Sequence, residues 1–195
     1  MMNKSSLTLA ILSALLGLSA AQIVFQGSCP ENVKVVSDFN VEKYLGKWYE
    51  YAKYPAYFEM EGKCVTAQYS LGDDGNVTVK NTLINEKTNV LTDILGTASL
   101  VANGKLLVKF PVSPAITVSS NYWILDTDYD NYTVIYSCVP VTTNTHATIA
   151  WILTRQALPE PTIIEKAVSV LKENNVSLRE MTITNQISCN EETEN

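Results

Sequence analysis

From Gly46 to Thr154 apolar and polar residues alternate in short runs broken by turn-forming clusters, a period-2 pattern that predicts strands with one buried face. Eight strands are expected, over 46–54, 63–71, 76–84, 90–101, 105–110, 121–126, 132–139 and 146–154. Gly72-Asp73-Asp74-Gly75, the run from Asn85 to Asn89, Ala102-Asn103-Gly104 and the run from Asp128 to Asn131 separate them. These residues tolerate positive φ or bond their own backbone, so successive strands should be antiparallel. Val77, Val79, Asn81 and Leu83 share one face, as do Ala147, Ile149, Trp151 and Leu153, and these faces should point inward. Gly96 marks a bend inside the longest strand. No proline falls inside an expected strand to protect a sheet edge, which favours closure into a barrel.

After Arg155 the period lengthens to 3.6. Ile163, Ile164, Ala167, Val168, Val170 and Leu171 form one stripe, opposite Glu165, Lys166, Ser169, Lys172 and Glu173. A helix over about 160–174 is expected, started by Pro159 and Pro161, ended by Asn174-Asn175 and packed outside the sheet. A short strand near 177–184 and a frayed tail over 190–195 follow.

The first 21 residues read differently. A short start with Lys4, an unbroken apolar run from Leu7 to Leu18 and the small residues Ser19-Ala20-Ala21 have the form of a secretory signal peptide, which leaves 22–195 as one domain, with its barrel over about 46–154. Export makes Cys29, Cys64, Cys138 and Cys189 candidates for two disulfides, with three pairings open. Their spacing matches no zinc pattern, so no metal site is expected. The sequons at Asn76, Asn131 and Asn175 fall at turns or element ends, where a glycan can attach.

Composition narrows the chemistry. With 20 acidic against 14 basic residues the net charge is -6, which disfavours nucleic acid as a partner. His146 is the single histidine, too few for mechanisms that need two imidazoles, and it should lie on the surface or at a rim. Asp73-Asp74 and Glu191-Glu192 are solvated charges in a turn and a tail.

Three segments carry a family resemblance. Asp38 to Glu50, with Gly46 and Trp48 at its heart, Thr127-Asp128-Tyr129-Asp130-Asn131-Tyr132, and Trp151-Ile152-Leu153-Thr154-Arg155 resemble, in order and spacing, the three motifs of the lipocalins. Together with Ser28-Cys29-Pro30 they are most similar to the branch of apolipoprotein D and the insect bilin-binding proteins. The resemblance implies an all-β fold, an eight-stranded antiparallel up-and-down β-barrel with one C-terminal helix outside. It also implies Trp48 at the closed end under Arg155, and pairing of Cys29 with Cys138 and of Cys64 with Cys189.

A barrel of eight strands holds one small ligand. Strand alternation and the family's pocket together point to Tyr69, Asn81, Leu83, Asn85, Ile94, Val108, Phe110, Tyr122, Ser137, Ile149 and Trp151 as its lining, with Asn81, Tyr122 and Ser137 supplying hydrogen bonds. Two departures bear on the ligand. The insect bilin carriers place a histidine where this chain has Leu83, and the apolipoprotein D branch an arginine where it has Asn85, so neutral or weakly polar ligands are favoured. The apolar loops over 54–60 and 111–116 are expected to form a lid, with Tyr57, Phe58 and Met60 offering contact to a membrane or lipoprotein surface.

The reading is therefore a secreted carrier of fatty acids, sterol-like or other lipids, needing no cofactor and performing no catalysis, with biliverdin as the alternative cargo. Whether it works as a monomer or a homo-oligomer is left open. A barrel isomerase of the prostaglandin synthase type would need an unpaired thiolate, so thiol titration of the denatured, unreduced chain should detect no free thiol if the carrier reading is right.

Overall fold

The computed structural model describes residues 23–56, 61–72 and 75–189. The expected signal peptide, Tyr57, Phe58, Met60, Asp73-Asp74 and the tail from Asn190 lie outside them.

Eight antiparallel strands close into a barrel: β2 (Gly46–Lys53), β3 (Gly62–Leu71), β4 (Val77–Asn85), β5 (Leu91–Ala102), β6 (Lys105–Ser113), β7 (Ile116–Thr127), β8 (Tyr132–Thr142) and β9 (Thr145–Thr154), with β9 returning to pair with β2. A preceding strand β1 (Ile23–Gln26) and a short β10 (Thr182–Ile183) join at the open end. β1 continues the β9 edge with Ile23 opposite Thr148, and β10 lies against the end of β2 with Thr182 opposite Lys53. The chain ends thus complete the wall where β2 alone cannot span the gap.

Register shows which side chains face in. Val79 stands opposite Tyr69 and Gly96, Ala98 opposite Val108, and Ile135 opposite Trp151. These residues belong to the inner core, while Val134, Tyr136, Ala150 and Ile152 point outward and meet helix α2 (Pro161–Glu173) through Ala167 and Leu171. Pro161 occupies the first turn of α2, and Asn175 takes a left-handed φ of 56° just past its end.

The closed end is made by all three motif segments. Helix α1 (Val41–Tyr44) starts at Asn40, whose Oδ1 accepts from the Lys43 N–H at 2.9 Å. Trp48 is fully buried and donates its indole N–H to the Tyr44 carbonyl at 2.9 Å. The Arg155 guanidinium lies 3.7 Å above the Trp48 ring and donates to the carbonyls of Lys47, Leu45 and Tyr129 at 2.9 Å each and of Lys43 at 3.1 Å. Gly46 has φ +98°, and a Cβ there would stand 3.2 Å from Arg155, so its lack of a side chain gives the guanidinium room. In the β7–β8 turn Asp128 accepts from the N–H groups of Asn131 and Tyr132, and Tyr129 bonds back to Asp38 and Asn40.

Several expectations need correction. β6 and β7 run through most of the stretch expected to be a loop, and Pro111 and Pro140 lie inside strands, each beside a register shift where the ladder is irregular. β1 was not anticipated, since four residues of Ile-Val-Phe-Gln carry too short a pattern to read. His146 is buried rather than exposed: β1 covers it, the Phe25 ring stacks on it at 5.7 Å, and its Nδ1 lies 2.8 Å from the Gly27 carbonyl. The strand expected near 177–184 is confined to Thr182–Ile183.

Replacing Arg155 by Lys keeps the charge but loses the planar fork, and each hydrogen bond to a charged group contributes about 1.5 to 3 kcal/mol. Arg155→Lys should lower unfolding stability by about 2 to 4 kcal/mol, read as a shift of the urea midpoint at unchanged slope.

Candidate functional site

The barrel interior has two halves. Below, toward the closed end, Trp48, Val79, Ala98, Leu106, Val108, Tyr122, Ile124, Ile135 and Leu153 pack into a continuous buried cluster. Above, inward positions stay open. Asn81, Leu83, Phe110 and Trp151 are half-buried, and Ile94 and Val118 are exposed although their register partners face inside. An apolar cup results, with Tyr122 and Trp151 stacked at 6.4 Å between centroids in its floor.

Polar atoms in this interior are nearly all used by the protein itself. The hydroxyl of Tyr122 lies 2.9 Å from that of Tyr44 and 2.8 Å from that of Tyr69, a chain of three phenols across the barrel. Burial pushes the Tyr44 phenol up to about 12 and that of Tyr122 well above the ordinary tyrosine range. Ser137 donates to Asn121 Oδ1 at 2.6 Å and lies 2.9 Å from Ser120 Oγ. Asn121 also bonds both backbone groups of Cys138, standing in for ladder bonds where β7 and β8 part. Asn81 is the exception among the three residues expected to bind through hydrogen bonds: its Oδ1 is buried without a partner in the protein.

Of the other expected lining residues, Val108 and Ile149 are buried wall, and Leu83, Ile94, Phe110 and Trp151 border the open half. Asn85 serves the β4–β5 turn instead: its Oδ1 accepts from the N–H groups of Lys87 and Thr88 at 3.0 and 2.9 Å. Gly96 lets Phe110 close on β5, since a Cβ there would lie 2.5 Å from the Phe110 ring. A concavity of about 430 Å³ bordered by Thr78, Leu95, Lys109 and Thr117 opens on the outer face of the wall, away from the cup. The three sequon asparagines, Asn76, Asn131 and Asn175, are exposed.

Sequence reasoning missed a charged pair in the inner wall. Glu50 stands opposite Leu153 and Lys53 opposite Trp151, with a register shift between Glu50 and Ala52 that returns Lys53 to the inward face. Lys53 Nζ is 3.2 Å from Glu50 Oε1, and both side chains are buried. Thr184 donates to the same carboxylate, and Gln186 bonds the carbonyls of Glu50 and Val65 at 2.9 and 2.8 Å, which seats the C-terminal segment in the seam between β2 and β3. A one-residue bulge is invisible in a hydropathy pattern, and without it Lys53 would be assigned to the outside. Disulfides hold both chain ends in place, Cys29 to Cys138 and Cys64 to Cys189, and no cysteine is free. Among the described residues no His, Cys, Asp and Glu cluster has the makings of a metal site.

Residues 39–186 match the sequence profile of a family described as a lipocalin-like domain. The chain is 38% identical to apolipoprotein D of Bos taurus over 192 residues, which covers 95% of this chain and 96% of the relative. It is 37% identical to the Lazarillo protein of Schistocerca americana over 88% of this chain and 85% of that one. Among solved structures, insecticyanin from Manduca sexta superposes with a TM-score of 0.74 at 28% identity, covering 84% of this chain and 89% of its own.

The phenol chain has a measurable consequence. A folded-state pKa raised above the unfolded value means stability that is complete below about pH 10 and lost as the pH climbs toward the folded value. In a near-ultraviolet alkaline titration, Tyr44 should ionise only near pH 12 and Tyr122 well above the ordinary tyrosine range, together with unfolding; Tyr122→Phe should remove part of that late step.

Proposed function

Because the chain belongs to the lipocalin family, we propose that it is a secreted carrier that holds one small hydrophobic molecule, a lipid, in the upper half of its barrel. The observation that carries this reading is the apolar cup over the filled lower core, with one buried acceptor, Asn81 Oδ1, left for a guest. That atom asks for a donor, which the hydroxyl of a sterol-like lipid supplies and a carboxylate does not. Lys53 on the inner wall is already answered by Glu50, so no unbalanced positive charge is there to reward an anionic head group. A neutral ligand with a single hydroxyl therefore fits better than a fatty acid.

Likeness to insecticyanin favours a second reading, a bilin as the cargo. Leu83 weighs against it, because an aliphatic side chain offers a tetrapyrrole no polar handle. Catalysis of the prostaglandin synthase type lacks its thiolate, since all four cysteines are bridged. The carrier reading needs no cofactor.

Native mass spectrometry with an absorption spectrum, on protein from its natural fluid, separates the cargoes. A colourless protein that releases a neutral lipid is expected; a visible band with a tetrapyrrole mass would replace the lipid by a bilin. Asn81→Leu should then weaken the released lipid about 5- to 10-fold by fluorescence competition, the equivalent of one hydrogen bond of about 1 kcal/mol. Unchanged affinity would remove Asn81 from the site.

A further inference from the structure

Outside the barrel, one stretch of wall is left bare. Helix α2 covers the outer face of β7 and β8, whereas among the described residues no helix lies over that of β4, β5 and β6. Register builds this bare face in rows. Thr78 stands opposite Thr97 and Thr97 opposite Lys109, while Val77, Val79, Ala98 and Val108 beside them turn into the core. One step nearer the mouth come Leu95, 56% accessible, and Pro111 opposite Thr117. The hollow of about 430 Å³ that these residues border lies within the range of about 300 to 1,000 Å³ usual for small-molecule sites. Its lining offers three threonine hydroxyls, one ammonium and the aliphatic faces of Leu95 and Pro111, with no carboxylate. Among the described residues Lys109 has no ion-pair partner.

A modification signal stands at the lower edge of this hollow. Asn76 opens the Asn76-Val77-Thr78 sequon, and its carbonyl accepts from the Gly72 N–H at 2.8 Å, which carries the β3–β4 ladder one step past Leu71 and Val77. Thr78, two residues on, therefore shares the outward face of Asn76 at a distance of about 7 Å along the strand. It is at once the sequon hydroxyl and the first residue of the hollow. We propose that Asn76 carries an N-linked glycan whose first sugars fold back along the outer wall and occupy this hollow.

Three observations select that occupant. First, a sugar ring has a hydroxylated edge and a face of C–H groups, which match the threonines and Lys109 on one side and Leu95 and Pro111 on the other. Second, the lining residues are exposed, so a free sugar would bind them weakly. A covalent tether at Asn76 makes docking intramolecular, with an effective concentration on the order of millimolar, and weak contacts then suffice. Third, the hollow beside another sequon is of the wrong size. Asn131 borders one of about 40 Å³, close to the volume of a single water, and its amide already donates to Asp128 at 2.8 Å. A second copy of this chain would set one concave face against another and leave the space between them empty. The proposal requires passage through the secretory route, as the carrier reading does, and nothing of the cup.

The test is expression of the full chain in a secreting eukaryotic host that attaches high-mannose glycans, followed by peptide mapping of the sequons. The rate at which an amine-acylating reagent labels each lysine of the native protein is then measured by mass spectrometry. Asn76 should be occupied, and Lys109 should be labelled about threefold more slowly in the glycosylated protein than in Asn76→Gln, as for a tethered group docked about two-thirds of the time. Lys166, exposed on α2, should be labelled equally in both. Trimming the folded protein with an endoglycosidase that leaves one N-acetylglucosamine should restore most of the Lys109 rate, which keeps the result independent of how Asn76→Gln folds. Leu95→Ser, with the glycan retained, should restore it too, because it removes an exposed aliphatic face without touching the sequon or the amine. That variant separates a docked glycan from one that only crowds the surface. Asn131→Gln and Asn175→Gln should leave Lys109 unchanged. An empty Asn76 in the secreted protein, equal Lys109 rates with and without the glycan, or shielding that persists in Leu95→Ser would each overturn the proposal. So would shielding that vanishes with Asn131→Gln. None of these outcomes bears on the cup, so the carrier reading stands or falls by its own experiment.

Discussion

One cation closes the barrel. Arg155 lies flat on a fully buried Trp48 and spreads its donors over the carbonyls of Lys43, Leu45, Lys47 and Tyr129. Those carbonyls belong to helix α1, the start of β2 and the β7–β8 turn, so a single side chain from the end of β9 ties together parts of the chain that are far apart in sequence. Burial disfavours the charged form of Arg155, and the carbonyls return what desolvation removes. The geometry demands a planar fork above an aromatic face and a neighbour with no side chain, hence Trp48, Gly46 and Arg155 together.

With one end sealed and filled, the other is free to be open. The lower half of the interior is packed like any core and satisfies its own hydroxyls: Tyr44, Tyr69 and Tyr122 bond one another, and Ser137 and Asn121 repair the gap between β7 and β8. Rigidity below means that the half-buried residues above can stay apart without collapsing the sheet. The two disulfides work in the same direction, since each closes a loop of more than a hundred residues and constrains the unfolded chain by about 2 to 5 kcal/mol.

How much of this was legible beforehand depends on the length of the repeating signal. β2 to β9 alternate over enough residues for their inward faces to be read, and α2 shows its stripe plainly. Pro111 hid the full reach of β6 because proline reads as a break, whereas a strand tolerates it beside a bulge. β1 and β10 gain their identity only from the strand beside them. The same holds for His146, which looks like a rim residue until β1 covers it, and for Asn85, whose amide can serve a cup or a turn with equal chemistry. The inner Glu50–Lys53 pair depends on a bulge of one residue, which no periodicity records.

That pair also limits what the cup can prefer. A lone lysine on the inner wall would attract any amphiphile with an acidic head, and selectivity among lipids would be decided by charge. Glu50 prevents this at 3.2 Å, and Thr184 and Gln186 fasten the carboxylate and its strand to the C-terminal segment, which Cys189 anchors to Cys64. The same contacts therefore complete the wall and neutralise it. Discrimination then falls to shape and to the few polar atoms that the wall has not already satisfied, which is the condition under which one buried amide oxygen, Asn81 Oδ1, can matter.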